Sequence, residues 1–320
     1  MAYTTLISVP DLAAHLTDPD WVVVDCRFAL ADPGRGERDY LAGHIPGAVY
    51  AHLNRDLSSP VLPGRTGRHP LPTVDALAAA LGSWGIAPGV QVVGYDDAGG
   101  ALAASRLWWL LNWLGHAAVA VLDGGWQAWL AAGGAVEAGG AVEAGELGAG
   151  AAIRPARVFT PRTRPELVAD AAAVETARLD ARRRVLDARA ADRFQGDNET
   201  IDPVAGHIPG AVSAPFAGNL DGQGRFKSPD ALRALFQEIL GDVPAADAVV
   251  YCGSGVTAAH DVLAIQHAGL GEAKLYAGSW SEWITDPARP VAIGLETDMT
   301  TDKTIDKSMD KTIDKTEERL

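Results

Sequence analysis

The sequence predicts an α/β protein made of two tandem copies of one unit, each a small parallel sheet flanked by helices. Three observations predict it. The segment GHIPGAV occurs at residues 43–49 and again at residues 206–212. The markers around it recur in the same order in both halves. Between the markers, short β-branched runs alternate with longer apolar or amphipathic stretches, which is the pattern of parallel βαβ units.

In the first copy, Val22-Val23-Val24 reads as a strand ending in Asp25-Cys26-Arg27, and GHIPGAV follows. Residues 74–84 read as a helix, VQVVGY at 90–95 as the next strand, and 101–114 as a second helix. Gly124-Gly125-Trp126-Gln127-Ala128-Trp129 closes the unit. In the second copy, the strand around Val185-Leu186 ends in Asp187-Ala188-Arg189, and GHIPGAV follows. Residues 229–240 read as a helix, AVVY at 248–251 as a strand, and 256–268 as a helix. Gly278-Ser279-Trp280-Ser281-Glu282-Trp283 closes this unit. The strands are apolar without alternation, as expected when both sheet faces are covered. A Gly- and Ala-rich stretch between the copies carries GGAVEA twice in succession and reads as a linker. Residues 300–316 cycle at period four with almost no apolar content, so they form a tail outside the fold. The expected divisions are a first unit at 1–132, a linker at 133–158, a second unit at 159–295 and a tail at 296–320.

Composition bounds the function. The chain has 320 residues, 27 basic and 41 acidic, for a net charge of −14. That balance argues against a nucleic-acid partner, and an anionic substrate would need local positive charge. The N-terminus shows no basic region followed by an apolar stretch, so no signal peptide is expected. The apolar run WWLLNWL at 108–114 is too short to span a bilayer. A cytoplasmic protein with no membrane partner is expected. With only Cys26 and Cys252, neither a disulfide framework nor a multi-cysteine zinc site is available, and no metal is expected.

In parallel sheets, ligand sites lie beyond the carboxyl ends of the strands. The loop after AVVY begins there: Cys252-Gly253-Ser254-Gly255-Val256-Thr257. Two glycines let backbone N–H groups turn inward, and a helix start follows, so the loop reads as an anion cradle. The same field favours a thiolate, which makes Cys252 a candidate nucleophile. The duplication acts as a control. Asp96 stands opposite Cys252, so only one half carries a nucleophile. Cys26 stands opposite Ala188 and reads as a packing residue.

The two GHIPGA segments, the Asp-x-Arg strand ends, DGGWQAW, AGSWSEW and CGSGVTA together resemble the two-domain rhodanese-type sulfurtransferases, which comprise thiosulfate and 3-mercaptopyruvate sulfurtransferases. The resemblance runs from about Leu6 to Ile284. It implies two rhodanese-like α/β domains, with a catalytically silent first domain and a site in the second that faces the interface. It implies a double displacement in which Cys252 takes a sulfur atom as a persulfide and passes it to cyanide or a thiol, without metal or organic cofactor. The amides of Gly253, Ser254, Gly255, Val256 and Thr257 would hold the sulfur anion.

The loop's Gly-Ser-Gly is similar to that of the mercaptopyruvate enzymes, whose resemblance implies two arginines on the substrate carboxylate. Arg193, in Arg193-Phe194-Gln195-Gly196, matches the first. Asp202 stands where the second is implied, which is closer to the thiosulfate enzymes. Thiosulfate is therefore the expected donor, with 3-mercaptopyruvate the alternative, and Asp202→Arg is expected to favour the latter. The resemblance also implies assistance from Ser254 and from a histidine of the first domain, matched to His44. A non-catalytic persulfide relay is the reading of another class. A phosphatase or arsenate reductase on this fold would need an arginine at the loop's end, and Val256-Thr257-Ala258-Ala259 has none.

Overall fold

The computed structural model describes residues 2–139 and 154–294. The repetitive centre of the expected linker and the expected tail lie outside these residues. The first unit contains β1 (Leu6–Ile7), α1 (Val9–His15), β2 (Trp21–Asp25), α2 (Arg35–Ala42), β3 (Val49–Tyr50), α3 (Val74–Ser83), β4 (Gln91–Tyr95), α4 (Ala103–Trp113), β5 (Val119–Leu122) and α5 (Gly125–Ala131). The second contains β6 (Val168–Ala169), α6 (Ala171–Ala177), β7 (Arg184–Asp187), α7 (Ala191–Gln195), β8 (Ala211–Ser213), α8 (Pro229–Leu240), β9 (Ala248–Tyr251), α9 (Thr257–His267), β10 (Lys274–Tyr276) and α10 (Ser279–Trp283). The sheets have orders β1-β5-β4-β2-β3 and β6-β10-β9-β7-β8, so one topology is built twice. Every strand pairing within them is parallel.

Local chemistry starts the helices. Thr73 Oγ1 and Ser228 Oγ accept the N–H groups of Ala76 and Ala231, and Pro229 occupies the first turn of α8. β2 and β4 pair over five residues at the sheet centre, and these long strands match the sequence reading. The edge strands β1, β3 and β6 have two residues each, too short for any periodicity to announce them.

The repeated motifs meet in three dimensions. Arg27 Nη2 donates to Asp25 Oδ2 at 2.6 Å and to Gly43 O at 2.7 Å, and its guanidinium lies 4.6 Å over the Trp126 ring. Arg189 makes the same contacts to Asp187 and Gly206 O and lies 4.8 Å over Trp280. Thus the strand end, the GHIPGAV turn and the Trp element form one buried ion-pair and cation–π cluster per unit. After the last helix of each unit the chain returns as a strap: Glu137 exchanges backbone hydrogen bonds with His44, and Ala292 with His207. Residues 133–139 and 154–158, read from sequence as linker, are packed on the first unit: Gly139 N reaches Leu41 O, and Arg157 N reaches Gly82 O.

The units share one interior. α4 lies against α9, and a single apolar cluster runs from Val22, Leu107, Trp108 and Leu111 through Val256, Leu263 and Leu275. Smaller clusters cover the outer faces of the two sheets. No helix among the described residues is long and apolar enough to cross a membrane.

Candidate active site

β9 delivers Cys252 to the carboxyl edge of its sheet, where it is buried. The Cys252 N–H donates to Ser279 Oγ at 3.1 Å, and Ser279 Oγ donates to Tyr276 O, so α10's start pins the strand end. Gly255 N–H donates to Cys252 Sγ at 3.2 Å. Gly255 has φ +75°, and a Cβ there would stand 2.4 Å from Ala277 O, so only glycine gives this approach. Of the five amides expected from sequence to serve the sulfur, Gly255 alone reaches it directly. Val256 packs into the shared core instead. Thr257 opens α9, and no side chain caps that helix.

The equivalent loop of the first unit shows what such a cradle holds. Asp96 Oδ1 accepts from Ala98 N at 2.9 Å and Gly100 N at 2.8 Å. Its Oδ2 accepts from Leu102 N at 2.9 Å and Ala104 N at 3.2 Å. Four inward amides therefore grip a built-in carboxylate where the second half presents a sulfur. Burial pushes the Asp96 carboxyl up, and the amides pull against it.

Two arginines lie over the Cys252 loop. A Cβ on Gly253 would meet Arg68 Nη2 at 2.7 Å and Arg193 Nη1 at 3.7 Å. Arg193 Nη2 pairs with Glu199 Oε1 at 2.9 Å and with Asp202 Oδ2 at 3.0 Å. Asp202 binds Arg68 through its other oxygen. So the position where the resemblance implies a second arginine holds a carboxylate that anchors an arginine from the first unit. Burial raises the Asp202 carboxyl, and Arg68 leads the opposing influences.

The histidine beside the loop is His69. Its Nδ1 lies 2.8 Å from Ser254 Oγ. Burial, followed by Arg106 and Arg68, lowers it to about 3, so the ring is neutral at physiological pH. His44 is not brought to Ser254. It is buried in the first unit, stacked on Tyr40, with Nδ1 2.8 Å from Tyr40 O. His207 repeats this on Phe194, which explains why both GHIPGAV segments carry it: the ring fastens the turn to the preceding helix. The histidine matched from sequence thus sits in a motif that serves the same structural end in both halves.

Arg68, His69, Arg106 and Ser279 were not singled out in the sequence. One further repeat points to the first two. Gly67-Arg68-His69 in the first half is echoed by Gly224-Arg225-Phe226 in the second, each a few residues before a capped helix. In the fold these loops cross to the opposite unit. A Cβ on Gly67 would meet Gly278 O at 2.4 Å, and one on Gly99 would meet Gly224 O at 2.1 Å. Arg68 N donates to Ser281 Oγ at 3.0 Å, and Phe226 N to Asp123 Oδ1 at 2.9 Å.

The model of the rhodanese-like domain matches residues 8–132 and 170–286. The chain belongs to the rhodanese family. It is 50% identical over 295 residues, 92% of this chain and all of the relative, to a Pseudomonas aeruginosa protein named "Probable 3-mercaptopyruvate sulfurtransferase". It is 41% identical, over 90% of its length and 97% of the relative's, to the Mycobacterium tuberculosis protein named "Putative thiosulfate sulfurtransferase SseB". Among solved structures, the 3-mercaptopyruvate sulfurtransferase from Leishmania major superposes with a TM-score of 0.75 at 33% identity, covering 88% of this chain and 74% of that one. This rhodanese-family chain is accordingly a sulfurtransferase with two α/β domains.

Proposed function

We propose that the transfer runs through a persulfide on Cys252, that cyanide or a thiol is the acceptor, and that 3-mercaptopyruvate is the donor best suited to the site. The observation that carries this reading is the convergence of Arg68, Arg193 and the His69–Ser254 pair on the loop of Cys252. The thiolate attacks the donor's sulfur, the carbon–sulfur bond breaks, and its electron pair moves to the carbon as a pyruvate enolate. The donor's thiol proton passes to that carbon, so thiolate and mercaptopyruvate become persulfide anion and pyruvate with atoms and charge conserved. Ser254 and neutral His69 offer a path for this proton. Arg68 Nη2 and Arg193 Nη1, the ends turned toward Gly253 while the others hold Asp202 and Glu199, offer donors to a carboxylate. In the second half-reaction the outer sulfur passes to the acceptor and the thiolate returns.

Thiosulfate is the second reading. Sulfite leaves as an anion and needs no proton, and the arginine pair suits its charge. The relatives carry both names. Two measurements test the proposal. Either donor should add about 32 Da, one sulfur atom, to the peptide containing Cys252, and an unmodified Cys252 would sink the persulfide. His69→Ala should slow pyruvate release from 3-mercaptopyruvate about 100-fold while slowing thiocyanate formation from thiosulfate far less. Equal slowing of both would return thiosulfate to first place.

A further inference from the structure

Arg106 stands on α4 of the first unit and has no exposed surface. Its Nη1 donates to Gly255 O at 3.0 Å, and its Nη2 to His69 O at 3.0 Å and Pro70 O at 3.4 Å. Its Nε has no partner. All of these acceptors are carbonyls, and no carboxylate pairs with Arg106 among the described residues. A buried cation without a counter-charge is costly, and carbonyl dipoles offset only part of that cost.

We propose that Arg106 is the counter-ion of the anion on Cys252, so that the half without a nucleophile supplies the charge that activates the nucleophile of the other half. The geometry links the two through one residue. Gly255, whose carbonyl Arg106 holds, is the residue whose N–H donates to Cys252 Sγ. The other groups facing the loop are already balanced or neutral. Arg68 and Arg193 share Asp202, and Arg193 also pairs with Glu199. His69 is neutral, and burial holds the Asp261 carboxyl on α9 well above the carboxylate range. Burial lowers the Arg106 guanidinium to about 10, while negative charge at Cys252 works the other way. Thiolate and persulfide anion each carry one negative charge, so the match persists through the cycle. Arg106 acts through Cys252 and is a positioning residue.

The proposal rests on Cys252 as nucleophile, and its test is separable from that reading. Iodoacetamide alkylation of the Cys252 peptide is followed by mass spectrometry against pH in the full chain, in Arg106→Gln and in Arg106→Lys. Arg106→Gln should move the midpoint up by about one pH unit or more, a tenfold loss of thiolate below the midpoint. Arg106→Lys, which keeps the charge and loses the fork, should stay near the wild-type midpoint. A folded Arg106→Gln protein with an unmoved midpoint overturns the proposal. If Arg106→Gln does not fold, Arg106→Lys decides: a midpoint near wild type supports the counter-ion, and one raised by a unit overturns it. Loss of turnover in Cys252→Ala checks the nucleophile independently.

Discussion

At the residue scale, Asp202 changes meaning once the fold is known. It is 9% exposed and shared by two guanidiniums from different units. Asp202→Arg, expected from sequence to complete a carboxylate clamp, would instead crowd three like charges in a half-dry site. We expect kcat/KM with 3-mercaptopyruvate to fall about tenfold or more, and steady-state kinetics on both donors will check the sign. The reversal shows which residues the sequence exposes. Cys252 was legible because the duplication set it against Asp96. Arg193 was legible because its segment carried the resemblance. Arg68 and His69 sit in a loop without periodicity, and their partners Asp202 and Ser254 lie 134 and 185 residues away. Only the faint Gly-Arg echo at Gly224-Arg225 hinted at them.

At the scale of elements, the strand–loop–helix unit is an anion holder whichever anion it receives. In β4–α4 the anion is a side chain, and in β9–α9 the loop turns an amide to the Cys252 sulfur. Asp96→Ala would leave four inward N–H groups without an acceptor in a site with no exposure. We expect a loss of more than about 2 kcal/mol of stability, since each orphaned buried donor carries its own desolvation cost. Urea unfolding measures it. The long central strands and helices were legible because Val-rich runs and capping residues are local signals. The straps at Glu137 and Ala292 were not, because a single bridge to a turn leaves no pattern in the chain.

At the scale of the whole molecule, burial of two histidines at the junction sets an acid limit. His69 and His260 are both lowered to about 3, chiefly by burial. His260 is packed 4.4 Å from the Phe226 ring of the crossing loop. An unfolded histidine titrates near 6.5, so the unfolded chain binds the extra protons between that pH and about 3. Stability from these groups is therefore complete above about pH 6.5 and drains as pH falls, by up to about 1.4 kcal/mol per pH unit for each ring. His260→Phe should flatten this acid limb relative to wild type in thermal melts between pH 7 and 4. A limb unchanged in slope would mean that other groups set it. The crossed loops have a last consequence, which concerns descent. Two equivalent cradles, each roofed by a loop from the opposite copy, have the form of a symmetric pair captured in one chain. Capture would let the copies diverge, and in one cradle a carboxylate now fills the anion position. The first copy would still not be free to drift, since His69, Arg68 and Arg106 reach across to the Cys252 loop of its twin.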